Sequence, residues 1–285
     1  MTKELEQEPP SDLQIQGDFT VLMPTYNRYD LKILFESSVA SIYSNTLKAK
    51  EVIIVIDGKV DNEFEAKIKR LQQKYNYKLI WIEKNSGLTK ALNTGLFEVK
   101  TRYTFRADGD DINHSQRFKM LYDKLNEGYD LVGSWIQERE LDGTPLKCRK
   151  VPLEHKKIKS IMRFRNPFNH MTVGFSTELA KSVGGYPDIY LREDYGLWAS
   201  MLEAGAKTAN IDNILVTATT GKALHARRSG GKYVRAETEI QRHLINTKIS
   251  SLKVATVAGI FRAIIFAMPH LISSNIYKLL LRQKL

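Results

Sequence analysis

Residues 103–111 read YTFRADGDD, a short strand-like run followed at once by three carboxylates, Asp108, Asp110 and Asp111. Like charges this close together repel one another and lower stability unless a cation neutralises them. Hard oxygen ligands on a short loop suit Mg²⁺ or Mn²⁺, and a diphosphate can fill the remaining coordination positions. A solvated acidic turn would have the same local sequence, so the surrounding segments must decide between the two.

Short β-branched runs alternate with amphipathic segments on both sides of this loop. The alternation predicts an α/β fold with a mostly parallel sheet covered by helices. Ligands of such sheets bind beyond the carboxyl ends of the strands, so we expect the loops after the first four strands to meet there. The predicted strands are Phe19–Met23, Glu51–Ile56, Lys78–Ile82, Tyr103–Arg106 and Asp130–Trp135, and the predicted helices cover 30–44, 61–76, 87–99 and 114–126.

The second half of the chain is less regular. Residues 136–192 lose the alternation and contain several turn signals, such as Asn166-Pro167. A helix is expected again at Glu193–Ala204 and a strand at Ala209–Ala218. Two further helices are expected at 233–250 and 252–283.

The charge of the chain is concentrated at its C-terminal end. The 285 residues carry 43 Lys and Arg against 32 Asp and Glu, a net charge of +11. Residues 221–285 hold twelve of the cations and only two acids, a balance of +10, whereas residues 1–220 are almost neutral. The single cysteine, Cys148, excludes an intrachain disulfide framework and a Cys-rich zinc module.

These patterns predict three parts: a disordered lead-in at 1–18, a catalytic domain at 19–220 and a basic helical extension at 221–285. The lead-in lacks the features of a secretory signal, and no run of 18 apolar residues predicts a membrane span. Apolar positions in 254–280 recur at helical spacing with cations between them, which predicts a helix on an anionic membrane surface. Packing on the domain or self-association is the alternative. We therefore expect a cytoplasmic protein, peripheral at the inner face of the cell membrane.

Six further segments carry distinctive residues in a fixed order. They are Val21–Arg28 (VLMPTYNR), Ile54–Gly58 (IVIDG), Asn85–Gly95 (NSGLTKALNTG), His170, Gly184–Tyr186 (GGY) and Glu193–Trp198 (EDYGLW). With the acidic loop, and over about residues 19–220, they resemble the family 2 glycosyltransferases. The resemblance implies the GT-A fold, a Rossmann-like, mostly parallel mixed sheet flanked by helices, and transfer of a sugar from a nucleotide diphosphate.

The resemblance also implies a donor site. Asp110 would ligate Mn²⁺ or Mg²⁺ directly, Asp108 would bind the ribose or reach the metal through water, and Asp111 would assist or cap a following helix. The family often has a second acid where Ile56 stands here. The remaining nucleotide-sugar-binding residues implied are Pro24, Thr25, Tyr26, Arg28, Asp57, Asn85, Gly87, Asn93 and Gly109.

On the acceptor side, Asp194 is the expected catalytic base, with Glu193 as its neighbour or an acceptor contact; the order could be reversed. From the residues alone, two acids in a first helical turn would simply complement the helix dipole. The backbone at Gly185 and Tyr186 would approach the sugar, and His170 would line the same cavity or be a structural histidine. Trp198 has the spacing of a core residue.

The loop 225–233 (HARRSGGKY) is the densest cationic segment. Arg227 and Arg228 could grip a diphosphate, because guanidinium groups bind its oxygens bidentately. That diphosphate would belong to the donor or to a lipid-linked acceptor. His225 could add a metal ligand.

The leading hypothesis is a metal-dependent, inverting transfer from a UDP-sugar to a saccharide hydroxyl, with a polyprenyl-diphosphate-linked acceptor in bacterial surface polysaccharide or O-antigen assembly. One alternative is a nucleotidyltransferase, which would carry a Gly-rich basic loop where Pro24-Thr25-Tyr26-Asn27 stands. The other is a non-catalytic basic protein that binds membranes or nucleic acid. Nucleic acid is not expected as a partner, because the metal loop is present.

Overall fold

The computed structural model describes residues 16–220 and 231–267, which form one nine-stranded sheet covered by helices on both faces. The strands are β1 (Gln16–Thr25), β2 (Lys48–Asp57), β3 (Lys78–Ile82), β4 (Tyr103–Arg106), β5 (Ile112–Asn113), β6 (Leu131–Arg139), β7 (Pro145–Arg149), β8 (Gly174–Ser176) and β9 (Thr208–Thr219). The helices are α1 (Tyr29–Tyr43), α2 (Asn62–Tyr75), α3 (Leu88–Glu98), α4 (Arg117–Asn126), α5 (His155–Met162), α6 (Thr177–Ser182), α7 (Glu193–Glu203), α8 (Gly231–Asn246) and α9 (Leu252–Ala267), with a 3-10 turn at His170–Thr172.

The strand order is β3-β2-β1-β4-β8-β6-β9-β5, and β7 pairs with β6. Strands β3, β2, β1 and β4 are parallel to one another, as are β6 and β9. The short strand β8 runs antiparallel between β4 and β6, which makes the sheet mixed. The predicted α/β class with a mostly parallel mixed sheet is therefore confirmed.

The central strands are apolar on both sides because both faces of the sheet are covered. Leu22 and Val55 pack on the face that carries α3, α5, α7 and α8. Their neighbours Val21 and Ile54 pack on the opposite face, against α1, α2 and α4. Each fully buried aliphatic side chain contributes about 1.5–3 kcal/mol relative to an exposed one, so these strands form the stable centre of the molecule.

The predicted strands and helices of residues 19–135 are confirmed, with ends shifted by a few residues. The elements between 136 and 192 were missed because most of them are short and depend on tertiary contacts. Strand β8, for example, has three residues, and a Cβ on its Gly174 would lie 2.7 Å from the Phe105 ring. Gly174 pairs with Phe105 on β4, and the absence of a side chain there leaves room for the Phe105 ring.

Helix α8 packs on the domain rather than extending from it. His243 Nε2 lies 3.0 Å from both Ser200 Oγ and the Gly196 carbonyl oxygen on α7. Ile240 and Leu244 are fully buried in the core beside α7. In contrast, α9 exposes apolar side chains at several positions. None of the helices among the described residues is both long and apolar enough to cross a membrane.

Candidate functional site

The loops that follow the first four strands are tied together in pairs at the carboxyl edge of the sheet. After β2, the Asp57 carboxylate accepts hydrogen bonds from the backbone N–H groups of Ser86 (2.7 Å) and Gly87 (2.8 Å), which follow β3. After β1, the Arg28 guanidinium forms an ion pair with Asp110, which follows β4. The predicted convergence of these loops is thus observed.

The backbone of the acidic loop is fixed from two sides. Ser38 Oγ on α1 donates to the Asp108 carbonyl oxygen (2.6 Å), and Thr219 Oγ1 on β9 donates to that of Asp110 (2.7 Å). The Thr219 N–H donates to Asp111 Oδ1 (2.8 Å). The interpretation of Asp111 as a helix cap is wrong, because strand β5 follows the loop and pairs with β9.

The three carboxylates differ in their surroundings. Arg28 pairs with Asp110, and the buried Arg106 pairs with Asp108. Burial, and next the charge of Asp108, raises the pKa of Asp110 to about 6. Burial also raises the pKa of Asp111, whose Oδ2 is buried without a hydrogen-bond partner among the residues that the structure describes. Asp108 and Asp110 are thus each paired with an arginine, whereas Asp111 forms no ion pair with a described residue.

This donor set fits a divalent cation. One carboxylate oxygen from each of Asp108, Asp110 and Asp111 lies within 4.8 Å of the other two. Mg²⁺ binds oxygens at about 2.0–2.1 Å, so small side-chain rotations would bring all three around one ion. Oδ2 of Asp111, which has no hydrogen-bond partner among the described residues, offers a further ligand atom, whereas the sequence had suggested only that Asp111 assists or caps a helix.

The residues expected to bind the nucleotide lie around this loop. Thr25 Oγ1 is buried without a hydrogen-bond partner among the described residues and lies 3.5 Å from the position that a Cβ on Gly109 would take. The Tyr26 hydroxyl accepts a hydrogen bond from Arg28 (3.2 Å). A Cβ on Gly87 would have no atom of residues 16–220 or 231–267 within 4 Å. Pro24 pairs with Val55 inside the sheet, and Asn85 Nδ2 donates to the Asp57 carbonyl oxygen at 3.3 Å.

Asn93 connects the expected donor and acceptor sides. Its Oδ1 accepts from the Tyr186 N–H and its Nδ2 donates to the Tyr186 carbonyl oxygen, both at 2.8 Å. Gly185, with φ +75°, approaches so closely that a Cβ there would lie 2.5 Å from Asn93 Oδ1. A glycine is therefore required at position 185, and the Asn93 amide holds the backbone of Tyr186.

Tyr186 is buried, and the Asn93 amide holds its backbone. Burial raises the pKa of its hydroxyl, and the charges of Asp194, Glu193 and Asp108 raise it further. His170 Nε2 lies 3.2 Å from this hydroxyl, and burial lowers the pKa of His170 well below its usual range, so the imidazole is neutral. The expectation that Trp198 packs in the core is confirmed, because it is fully buried in the apolar cluster.

Glu193 and Asp194 open helix α7. Asp194 Oδ2 accepts a hydrogen bond from Asn166 Nδ2 (2.7 Å), and Oδ1 accepts from the Tyr195 N–H (2.7 Å). Burial raises the pKa of Asp194; burial, followed by the charge of Asp194, raises that of Glu193 to about 7. A fixed carboxylate beside one that titrates near neutrality is suited to proton transfer.

Sequence reasoning missed two residues of this site. Asn166 was noted only as part of a turn, and Thr219 lies just past the predicted strand Ala209–Ala218 and was not singled out. Neither has a local signal, since each acts on a residue that is distant in sequence. His225, Arg227 and Arg228 lie outside the described residues.

Comparisons with known proteins show what the chain is similar to. The model of the family described as glycosyl transferase family 2 matches residues 20–179. The chain is 35% identical over 268 residues to the UDP-Gal:alpha-D-GlcNAc-diphosphoundecaprenol beta-1,3-galactosyltransferase of Escherichia coli, covering 93% of this chain and 97% of that protein. It is 29% identical to the amylovoran biosynthesis glycosyltransferase AmsE of Erwinia amylovora, covering 91% and 98% of the two chains.

A solved structure extends the comparison to the fold. The crystal structure of S. aureus TarS 1-349 in complex with UDP-GlcNAc matches with a TM-score of 0.64 and 18% sequence identity. The match covers 81% of this chain and 67% of that one. At this identity the likeness concerns the fold alone, and it agrees with the GT-A architecture expected from the motifs.

Proposed function

Because the chain belongs to glycosyltransferase family 2, as its motifs predicted, we propose that it transfers a sugar from a UDP-sugar to a saccharide hydroxyl on a polyprenyl-diphosphate-linked acceptor. The name of the E. coli relative supports both substrates, since it specifies UDP-Gal and a GlcNAc-diphosphoundecaprenol. The name of AmsE supports a role in surface polysaccharide assembly. Dependence on a nucleotide sugar follows from the family itself.

On the donor side, we propose that Asp108, Asp110 and Asp111 hold Mn²⁺ or Mg²⁺. A bound divalent cation would stabilise the negative charge that develops on the departing diphosphate. Thr25, Tyr26 and Arg28 would receive the base and ribose, with Asp57 holding the 85–87 loop beside them. Gly87 and Gly109 would leave room for the backbone to approach the donor.

On the acceptor side, an inverting transfer needs a base on the face opposite the leaving group. Asp194 is the proposed base, because Asn166 and the Tyr195 N–H fix its two oxygens. Glu193, with a pKa raised to about 7, would contact the acceptor or share the proton. The neutral His170 and the Tyr186 hydroxyl would line the space between this pair and the metal loop.

One observation carries the proposal: in a chain of this family, one oxygen from each of Asp108, Asp110 and Asp111 lies within 4.8 Å of the other two at the carboxyl edge of the sheet. The test is transfer from UDP-sugars to a short-chain lipid-diphosphate saccharide, with and without Mn²⁺. Asp110→Ala should abolish metal-dependent UDP binding and transfer together. Asp194→Asn should keep calorimetric UDP binding and lose turnover, and normal turnover in that variant would disprove the base assignment.

We further propose peripheral attachment at the inner face of the cell membrane through the C-terminal segment. Leu252, Val257 and Ile260 on α9 are 57–69% exposed, which supports an apolar contact beyond the domain. The excess of cations in residues 221–285 would supply the attraction to anionic lipid. Removing residues 268–285 should lower the fraction of protein that sediments with anionic vesicles; unchanged sedimentation would rule this segment out.

A further inference from the structure

Helix α5 and the residues just after it carry a group of exposed cations, in the segment that leads to Asn166, the hydrogen-bond partner of Asp194. Lys156, Lys157, Lys159 and Arg163 are all exposed, and the Phe164 side chain that follows them is 50% exposed. These five residues are called the basic face below. The opposite side of α5 is apolar, since Ile158 and Met162 are fully buried in the core. The helix is therefore held in place while its cations point to solvent.

The cations of the basic face have no carboxylate partners. Many other surface cations of the molecule do, such as Lys69, which pairs with Glu65 at 2.5 Å, and Lys119, which pairs with Asp123 at 2.7 Å. Among residues 16–220 and 231–267, no carboxylate oxygen lies within 4.0 Å of the charged groups of the basic face. Unpaired like charges on one surface repel one another, and an approaching polyanion relieves this repulsion.

The basic face is fixed relative to the proposed base. The Tyr195 hydroxyl on α7 donates a hydrogen bond to the Met162 carbonyl oxygen at the end of α5. Asn166, only two residues after Phe164, donates to Asp194. Two residues of extended chain span at most about 7 Å, so Phe164 lies within that distance of Asn166, and the lysines lie farther back on the helix that leads to it.

The acceptor chemistry explains this placement. In a saccharide carried on a lipid diphosphate, the reacting hydroxyl is one short glycan and one diphosphate away from the bilayer surface. The base must therefore come close to the bilayer, and the surface beside the base meets the lipid headgroups. We propose that the basic face docks on the anionic headgroups of the bilayer that carries the acceptor, an inference that rests on the proposed lipid-linked substrate.

Apolar side chains around the pair fit the same partner. Phe164 directly follows Arg163, and Tyr190 (52% exposed) and Leu191 (42% exposed) lie three and two residues before Glu193 in the chain, separated from it by Arg192. Cations mixed with exposed aromatic and aliphatic side chains are typical of surfaces that lie in a membrane interface. A soluble polyanion would attract the cations but give these apolar groups no favourable contact.

The test measures binding of the full chain to vesicles of equal parts phosphatidylglycerol and phosphatidylcholine. The variant replaces Lys156, Lys157 and Lys159 with Gln, and the control replaces Lys69, Arg70 and Lys74 on α2, which lies on the other face of the sheet. Both variants lose the same charge. Each lysine near an anionic bilayer contributes about 1 kcal/mol, or roughly fivefold in affinity, so the α5 variant should bind about 100-fold more weakly and the control within about threefold of wild type.

Phe164→Ala should weaken vesicle binding further in the α5 variant. Transfer to a soluble short-chain acceptor should be unchanged in all variants, which shows that they are folded and tests the proposed function separately. Equal vesicle binding by wild type and the α5 variant, or an equal loss in the α2 control, would overturn the proposal. The proposal would also be overturned if the α5 variant lost binding to a DNA duplex but kept its binding to vesicles, because the basic face would then bind a different polyanion.

Discussion

Replacing Asn166 with Ala should raise the pKa of Asp194, the proposed base. Asn166 Nδ2 donates a 2.7 Å hydrogen bond to Asp194 Oδ2, while its Oδ1 accepts from the Phe168 N–H (3.1 Å), so the amide orientation is set from both ends. A hydrogen bond to the charged form of an acid lowers its pKa. Removing this donor therefore moves the pKa of Asp194 upward.

The magnitude follows from the chemistry of this contact. Hydrogen bonds to charged groups contribute about 1.5–3 kcal/mol, and one pKa unit corresponds to about 1.4 kcal/mol. Asp194 is partly exposed, so water replaces some of the loss and the lower end applies, which is an upward shift of about one unit. Glu193, Arg192 and Arg149 also face Asp194, and none of them is altered by the substitution.

The assay is the pH profile of kcat/KM for transfer, together with calorimetric binding of UDP and Mn²⁺. The acidic limb of the Asn166→Ala profile should move up by about one unit, while UDP affinity stays the same. Asn166→Asp should shift it further, because it keeps the acceptor for the Phe168 N–H and adds a second negative charge. The control is Asn210→Ala, since Asn210 Nδ2 donates to the Pro167 carbonyl oxygen (3.2 Å) and supports the loop without touching Asp194.

Two outcomes would refute this reasoning. If turnover falls in Asn166→Ala but the acidic limb does not move, Asn166 supports the loop and does not act on the carboxylate. If the Asn210 control shifts the limb equally, loss of loop order explains the effect.

Asp111→Asn should weaken Mn²⁺ binding on the order of 10- to 100-fold, because a neutral amide replaces a carboxylate whose Oδ2 has no hydrogen-bond partner among the described residues. Calorimetry with Mn²⁺ alone measures the affinity, and an unchanged affinity would remove Asp111 from the metal site. Gly185→Ala should destabilise the protein in urea by at least about 1–3 kcal/mol, since a side chain is strained at φ +75° and meets the α3 amide. Gly128→Ala is the control, because Gly128 has φ +88° and no described atom within 4 Å of the new Cβ. An equal loss of stability in this control would mean that the contact with the Asn93 amide contributes nothing. Glu193→Gln should raise Tm at pH 8 but not at pH 4. The pKa of Glu193 is about 7 in the folded protein and lower in the unfolded chain, so ionising Glu193 costs on the order of 3 kcal/mol of stability as the pH rises from the unfolded to the folded pKa. A Tm difference between Glu193→Gln and wild type that does not vary with pH would contradict this assignment.

Local patterns predicted the sheet well because its strands carry the signal themselves. β1 and β2 are apolar on both sides, and amphipathic helices follow each of them, so the parallel α/β class could be inferred from periodicity alone. The elements between 136 and 192 were not predictable in this way. Strand β8 is held by its two neighbours in the sheet, and α5 by burial of two side chains, neither of which leaves a long periodic run.

The sequence by itself determined which chemistry is present: an acidic loop after a strand, a glycine pair, and two carboxylates at the start of a helix. It determined these because strand ends and helix starts are local, and parallel strands bring their carboxyl ends to one edge. Only the tertiary structure decided which groups act on one another. Asn93 holds the backbone of Tyr186, Thr219 fixes the acidic loop, and Asn166 orients Asp194 across 28 residues of chain. These are one or two hydrogen bonds each, between segments distant in sequence, and packing alone brings their partners together.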